Sequence, residues 1–297
     1  VTAFPLWAER LYNRPLALEP FKNEVLCEFA QSRIFGTKPD KITSAELDRP
    51  SALASEASFY RDGERLPYAV KDGIAVVPVR GTLVQRAGWL DAESGLVGYD
   101  RFIKVAKTAS NDPEVSGIWV PFDSGGGECA GLFAAAEELA SMAKAEGGKP
   151  IYAWIDERAC SAAYVLASAC DKIHGRREAM GGSIAAIINV IDKSKAFAEA
   201  GLKPIVVRSE WADRKARGQA GEEIDAETVA WLAGLVDEAS NQIVEFVAAM
   251  RGIKQQAIRD LRGEAFTGND LVKYRLMDGI MAEADAWAAL KAEARSA

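Results

Sequence analysis

From residue 71 onward, short continuous apolar runs alternate with stretches in which apolar residues recur every three or four positions. Residues 73–79 form a β-type run that ends at Arg80-Gly81. Residues 99–109 have helical spacing through Phe102, Ile103, Val105 and Ala106, and Asn111-Asp112-Pro113 stops them. A second apolar strand, 115–122, feeds Asp123-Ser124-Gly125-Gly126-Gly127. The helix expected next carries Leu132, Phe133, Ala136, Leu139 and Met142 on one face and closes at Gly147-Gly148. Residues 150–155 predict a third strand, 161–169 a helix, 172–175 a short strand, and 183–191 a strand followed by a turn. A helix over 194–200 is capped by Gly201, and 204–207 is the next expected strand. Beyond Gly221, Val229, Leu232, Val236, Ile243, Phe246 and Met250 mark a long amphipathic helix, and a last helix–turn–strand unit covers 256–281.

Strands alternating with helices imply βαβ units and an α/β fold around a mostly parallel sheet. Strands this apolar suit a sheet covered on both faces. Residues 1–68 read as an N-terminal arm and linker. Leu16, Leu18, Phe21, Val25, Leu26 and Phe29 suggest a docked arm with a short helix, and 37–67 is polar and proline-punctuated. Residues 69–290 form the expected main domain, ending in helices, and 291–297 a C-terminal tail. The apolar stripe over 226–250 predicts a core or subunit-contact face.

Composition narrows the function classes. The 297 residues are 49% hydrophobic and 27% charged, ordinary usage for a chain able to bury a large core. A net charge of −7 supplies no whole-chain basic field, so no nucleic-acid partner is expected. No apolar run approaches the ~20 residues that span a bilayer. Charges at Glu9, Arg10, Arg14, Glu19, Lys22 and Glu24 leave no signal-peptide core at the start of the sequence. Cys27, Cys129, Cys160 and Cys170 lack C-x-x-C spacing, and with a single histidine they make no familiar zinc motif. Neither a metal nor a cofactor is expected. The cysteines read as buried, reduced thiols of a cytoplasmic protein, with Cys160 a rival nucleophile.

Two short runs hold candidate chemistry. Consecutive glycines in 123–127, read as a strand end opening a helix, can aim backbone N–H groups at an anion. Ala159-Cys160-Ser161-Ala162-Ala163 places a hydroxyl at a helix start among small residues. The plain reading of Ser161 is a helix N-cap. As a nucleophile it needs a base. His174, in a strand leading away from the helix start, is badly placed for that, and the G-x-S-x-G elbow is absent. A lysine serves where burial lowers its pKa. Lys193, Lys195, Lys203 and Lys215 lie downstream, and local sequence does not choose among them. Two other readings stand beside this one. Gly125-Gly126-Gly127-Glu128-Cys129-Ala130 satisfies the dinucleotide-binding G-x-G-x-x-A, with Asp156 as the ribose ligand. An acyl-CoA enzyme of the crotonase type would use a backbone oxyanion hole without needing Ser161 or Lys215.

Four motifs in order resemble the S49 peptidase family, which includes signal peptide peptidase A and the phage capsid-assembly proteases. They are Asp123-Ser124-Gly125-Gly126-Gly127 for D-S-P-G-G, and Ala159–Ala163 with Ala167-Ser168-Ala169-Cys170-Asp171 for A-C-S-A-G and A-S-A-x-D. Gly182-Ser183-Ile184-Ala185 follows for G-S-I-G, then Phe266-Thr267-Gly268 and Arg275-Leu276-Met277-Asp278 for F-x-G and G-L-x-D. The resemblance implies a ClpP/crotonase-like spiral of βαβ units and a Ser-Lys dyad. Ser161 is then the nucleophile, Lys215 the base, Gly126 and Gly127 the oxyanion donors, and Ser183 a hydroxyl that orients the lysine. Lys215 sits in Trp211-Ala212-Asp213-Arg214-Lys215, where the family's G-x-H-K is altered by a short insertion. The arm around Asn13-Arg14-Pro15-Leu16-Ala17-Leu18 is similar to that of head-maturation proteases. This favours a capsid or scaffold protein as substrate, a homo-oligomer such as a ring, and a setting in the host cytoplasm inside the prohead, over a signal-peptide-peptidase-like role. A scaffolding segment, common in that branch, would then be encoded separately, or the chain truncated or self-cleaved.

Overall fold

The computed structural model describes residues 58–86, 96–218 and 223–296, with residues 12, 14–20, 23, 24 and 27 of the arm. In chain order the strands and helices begin with β1 (Leu16–Leu18), β2 (Ser58–Arg61), β3 (Glu64–Lys71), β4 (Ile74–Val76), β5 (Val79–Arg80), β6 (Thr82–Val84) and β7 (Leu96–Gly98). Next come α1 (Tyr99–Asn111), β8 (Gly117–Ser124), β9 (Gly126–Glu128), α2 (Leu132–Ser141), β10 (Ile151–Cys160), α3 (Ala162–Ser168), β11 (Lys172–Gly175) and β12 (Met180–Gly182). The C-terminal part holds α4 (Ser194–Glu199), α5 (Ala226–Arg251), α6 (Gln255–Arg259), β13 (Ala265–Thr267), α7 (Gly268–Lys273), β14 (Gly279–Ile280) and α8 (Glu283–Arg295).

The main sheet runs β13-β12-β10-β8-β4-β3-β2, with β11 beside the first half of β10, β14 on the far side of β11, and β5 beside the end of β8. Its centre is parallel: β8 with β4, β5 and β10, and β10 with β11 and β12. Antiparallel pairs lie toward its margins. A smaller sheet, β1-β9-β6-β7, stands beside it. This is the α/β class expected, with a mostly parallel sheet and C-terminal helices.

Strand alternation explains why the central strands are apolar at nearly every position. On β8 and β10, Ile118, Val120, Phe122, Ile151, Ala153 and Ile155 face the core built with α1, α2, α3 and α5. Their neighbours Trp119, Tyr152 and Trp154 face the other side, where α8 covers them with Ala286, Trp287 and Leu290. There Trp119 stacks on Trp154 at 5.7 Å and meets Trp287 edge-on at 5.5 Å. Pro121 is tolerated in the middle of β8 for a local reason. The Ile118 amide donates toward β10, so the missing amide of residue 121 faces the other edge. That edge is where β8 changes partner from β4, at Trp119, to β5, at Phe122.

Several expectations need correction. β10 does not stop at 155 but continues through a register shift to Cys160, because its second half finds new parallel neighbours in β12 and the end of β8. Residues 183–191 form no strand: β12 ends at Gly182, and Ile187 makes only an isolated bridge to Leu16. Residues 204–207 also pair with no strand among the described residues, and Ile205 and Val207 are 81% and 91% exposed. Apolar content alone gave that run a strand pattern without a neighbouring edge to join. Of the linker expected at 37–67, residues 37–57 lie outside the described residues, as do the arm's Phe21, Val25, Leu26 and Phe29. From Ser58 the chain is a hairpin turning at Asp62-Gly63.

Candidate active site

Ser161 occupies the single residue between the end of β10 and the start of α3. Neighbours on both sides fix that strand end: Cys160 pairs with Gly182 of β12, and Ala159 with both Gly181 of β12 and Ser124 of β8. The Ser161 amide donates to Gly182 O at 2.7 Å. The backbone must then turn into the helix at once, and Ser161 takes φ 55°, ψ −120°. A non-glycine residue held there costs of order 1–3 kcal/mol. The hydroxyl does not cap α3. It donates instead to the Ala185 carbonyl at 3.3 Å. Ser161 thus holds the N-cap position without capping through its hydroxyl, and the strain has no side-chain return at the helix end. The small side chains of Ala159, Ala162 and Ala163 are fully buried around it.

The glycines of 125–127 do not open a helix, contrary to expectation. They enter β9, and α2 starts only at Leu132, after Gly131. Gly126 has φ 101°, and a Cβ there would collide with the Ala17 carbonyl oxygen and lie 3.0 Å from Ser161 Cβ. A Cβ on Gly127 would collide with the Leu83 carbonyl of β6. Glycine is required because three backbones converge on this strand. The Gly126 amide donates to Ser124 Oγ at 3.1 Å, and that hydroxyl donates to Gly81 O at 2.6 Å. With these glycines in a strand, the phosphate cradle of a dinucleotide site is not formed. Asp156, its expected ribose ligand, faces Arg176 at 3.4 Å and Arg80 at 4.0 Å.

Ser183 follows β12 with φ 53° and is 4% exposed. Its amide donates to Glu264 O at 2.8 Å, and its hydroxyl bonds to no other described group. Cys160 is fully buried, and burial first, then the Glu19 carboxylate, pushes its thiol up to about 12. It is not a rival nucleophile at neutral pH. His174 pairs with Trp154, six residues before Cys160 on β10, about 20 Å down the strand at ~3.3 Å per residue. Burial lowers its pKa, and it packs against Tyr152 at 5.5 Å. It is a packed histidine remote from Ser161.

Ser161, Gly126 and Ser183 are thus brought together, with Gly127 one residue further along β9. Lys215 is not among them. It lies exposed in a one-turn 3-10 segment, Asp213–Ala216, and makes no side-chain hydrogen bond or ion pair among the described residues. Lys195 and Lys203 are exposed and Lys193 half-buried. The strand at 204–207 that was to position Lys215 does not form, so no strand among the described residues holds the following turn over the site.

Sequence reasoning missed four features. The Ala162 amide opens α3 beside Ser161 and, as a first-turn N–H, has no intrahelical acceptor. Asp278 of the last motif is a clamp: it accepts from the Ile173 amide at 2.7 Å and from Arg251 at 2.8 Å. The Tyr164 hydroxyl ties α3 to Leu276 O at 2.6 Å. The arm strand β1 pairs along β9 itself, which an alternation only three residues long could not announce.

Residues 143–296, slightly more than half of the chain, match the sequence pattern of peptidase family S49. The head-tail preconnector protein GP5 of Enterobacteria phage P21 is 30% identical over 278 residues, covering 93% of this chain and 54% of that protein. Capsid assembly protease C of Escherichia phage lambda is 29% identical over 286 residues, covering 95% and 64% respectively. The chain therefore spans between half and two thirds of the length of these relatives. Among solved structures, an enoyl-CoA hydratase/isomerase family member is similar at 17% identity and a TM-score of 0.45, covering 77% of this chain and 75% of its own. A ClpP1 variant from Listeria monocytogenes is similar at 15% identity and a TM-score of 0.41, covering 71% and 92%.

Proposed function

Because the chain belongs to peptidase family S49, we propose that it is a serine endopeptidase with a Ser161–Lys215 dyad, processing capsid or scaffold protein, and itself, as a phage head matures inside the host cell. The observation that carries this reading is Ser161. It is held in a strained backbone conformation at a strand–helix junction, and its hydroxyl does no capping. The similarity to a capsid assembly protease and a head-tail preconnector protein supports the substrate class.

In the mechanism, neutral Lys215 takes the proton from Ser161 Oγ as that oxygen bonds to a peptide carbonyl carbon. Gly126 and Gly127, once the first amide leaves Ser124 Oγ and the second the Ala17 carbonyl, donate to the oxyanion together with the Ala162 amide. Such a donor is worth about 3–4 kcal/mol where one has been removed from a serine protease. The lysinium returns its proton to the leaving amine as the C–N bond breaks, and water then hydrolyses the acyl ester. Ser183 holds the lysine amine in line. Lys215 reaches Ser161 when residues 202–215 settle over the site. Their exposed Leu202, Ile205, Val207 and Trp211 support a homo-oligomer in which this segment is covered.

Mass spectrometry of a co-expressed capsid or scaffold substrate tests the reading. The unsubstituted chain should yield defined fragments, and Ser161→Ala and Lys215→Ala none, with both variants folded. Cleavage surviving Ser161→Ala would overturn the proposal. Cleavage surviving only Lys215→Ala would move the base to Lys193, Lys195 or Lys203.

A further inference from the structure

The N-terminal arm lies across the candidate site as an extended peptide. β1 pairs antiparallel with β9, Leu16 opposite Glu128, Ala17 opposite Gly127 and Leu18 opposite Gly126. Glu19 N donates to Gly125 O at 2.7 Å, and Cys129 N to Pro15 O at 3.5 Å. These bonds, two residues to either side, make Ala17 and Gly127 a hydrogen-bonded pair of the ladder. The other edge of β1 is also filled: Leu16 and Ile187 exchange two backbone bonds of 2.8 Å. Ile187 is two residues from Ala185, whose carbonyl accepts from Ser161 Oγ. The arm strand thus runs between the glycine strand and the segment that holds the serine hydroxyl, and the Ala17 carbonyl and Ser161 crowd the same α-carbon, that of Gly126.

Its side chains are gripped as a ligand's would be. Ala17 is fully buried, and Leu16, Leu18 and Glu19 are 2–3% exposed. Ala17 packs into the main core, while Leu16 and Leu18 pack with Tyr12 and Ile187. Charges flank this triplet. Arg14 lies 3.6 Å from Glu128, and Glu19 lies 3.9 Å from Arg158.

We propose that the lane between β9 and Ile187 is the peptide-binding cleft, and that Arg14–Glu19 occupies it as a resident strand which must leave before a substrate enters. The lane takes an extended peptide of the chemistry it now holds: an apolar, a small and an apolar residue in succession, with a basic residue before them and an acidic one after. Arg158 is the specificity-determining contact for that acidic residue. This rests on the peptidase reading for its consequence, but binding in the lane is separable from catalysis.

The test uses the full chain carrying Ser161→Ala, so that no turnover intervenes. The probe is a fluorescent peptide with the sequence of residues 14–19, followed by anisotropy. In one form, Leu16→Cys and Ile187→Cys, with Cys27 and Cys129 replaced by serine, lock the arm in place; in the other, Arg14→Glu with Glu19→Arg makes both flanking contacts repulsive. The repelled form should bind the probe at least tenfold more tightly than the chain with its native arm. The locked form should bind none when oxidised and regain binding on reduction, a comparison within one folded protein. Equal binding by oxidised and reduced protein would overturn the proposal even if the Ser161 enzyme cleaves. Binding as expected, with no cleavage by any form that retains Ser161, would overturn the peptidase reading alone.

Discussion

Ser161 carries a backbone strain that its side chain does not repay by capping α3, and that strain is measurable. Glycine adopts φ 55° without steric cost. Ser161→Gly should therefore abolish cleavage while raising stability by about 1 kcal/mol in urea unfolding, within the range of strain stored at such positions. A stability loss would mean the hydroxyl is structural. Gly126 gives the opposite expectation. Gly126→Ala adds a Cβ at φ 101° against the Ala17 carbonyl, and should cost at least about 2 kcal/mol or expel the arm strand. In the sequence, the local stretch around Ser161 alone reads as a helix N-cap, and only the ordered motifs that resemble the S49 family point to it as a nucleophile. Its base is less legible still. Five lysines, Lys172 and the four candidates, follow within 54 residues of Ser161, and what distinguishes them is tertiary placement, which local spacing does not encode.

The last motif acts through the elements it joins. Arg251 at the end of α5 and the Ile173 amide at β11 meet on Asp278. Burial pushes that carboxyl up, but the Arg251 bond and charge and the Ile173 amide outweigh it and hold it below the usual carboxylate range. The stabilisation is present above the unfolded value of about 4 and is lost as pH falls through the lower folded value. Asp278→Asn should cost about 2–3 kcal/mol at neutral pH, since Arg251 is left nearly buried without its counter-charge. It should also flatten the stability slope below about pH 4 in acid titrations followed by circular dichroism. Helices and central strands were legible from period because each buries a face. The misread runs, 183–191 and 204–207, are apolar segments whose partners are single bridges or absent among the described residues. Apolar content predicts burial of a strand only where an edge exists to receive it.

For the whole molecule, the parallel centre of the sheet followed from the alternation of apolar strands and helices. The placement of the arm did not, because β1 is short and joins a strand more than 100 residues away in sequence. The uncovered segment 202–211 is argued at this scale as well. Ile205→Asp with Val207→Asp should shift the mass seen by light scattering toward a single chain. Monomer stability should change by no more than about 0.5 kcal/mol, because both side chains are over 80% exposed. An unchanged assembly would place any subunit contact elsewhere, with the stripe on α5 the next candidate. The central claim is that Ser161 is a nucleophile activated by Lys215. It is tested most directly by treating the Arg14→Glu, Glu19→Arg chain, whose cleft the arm no longer fills, with a serine-directed fluorophosphonate and mapping the adduct by mass spectrometry. The account predicts one phosphonylated residue, Ser161, with labelling lost on adding Lys215→Ala. An adduct on a different serine, none at all, or undiminished labelling without Lys215 would contradict it.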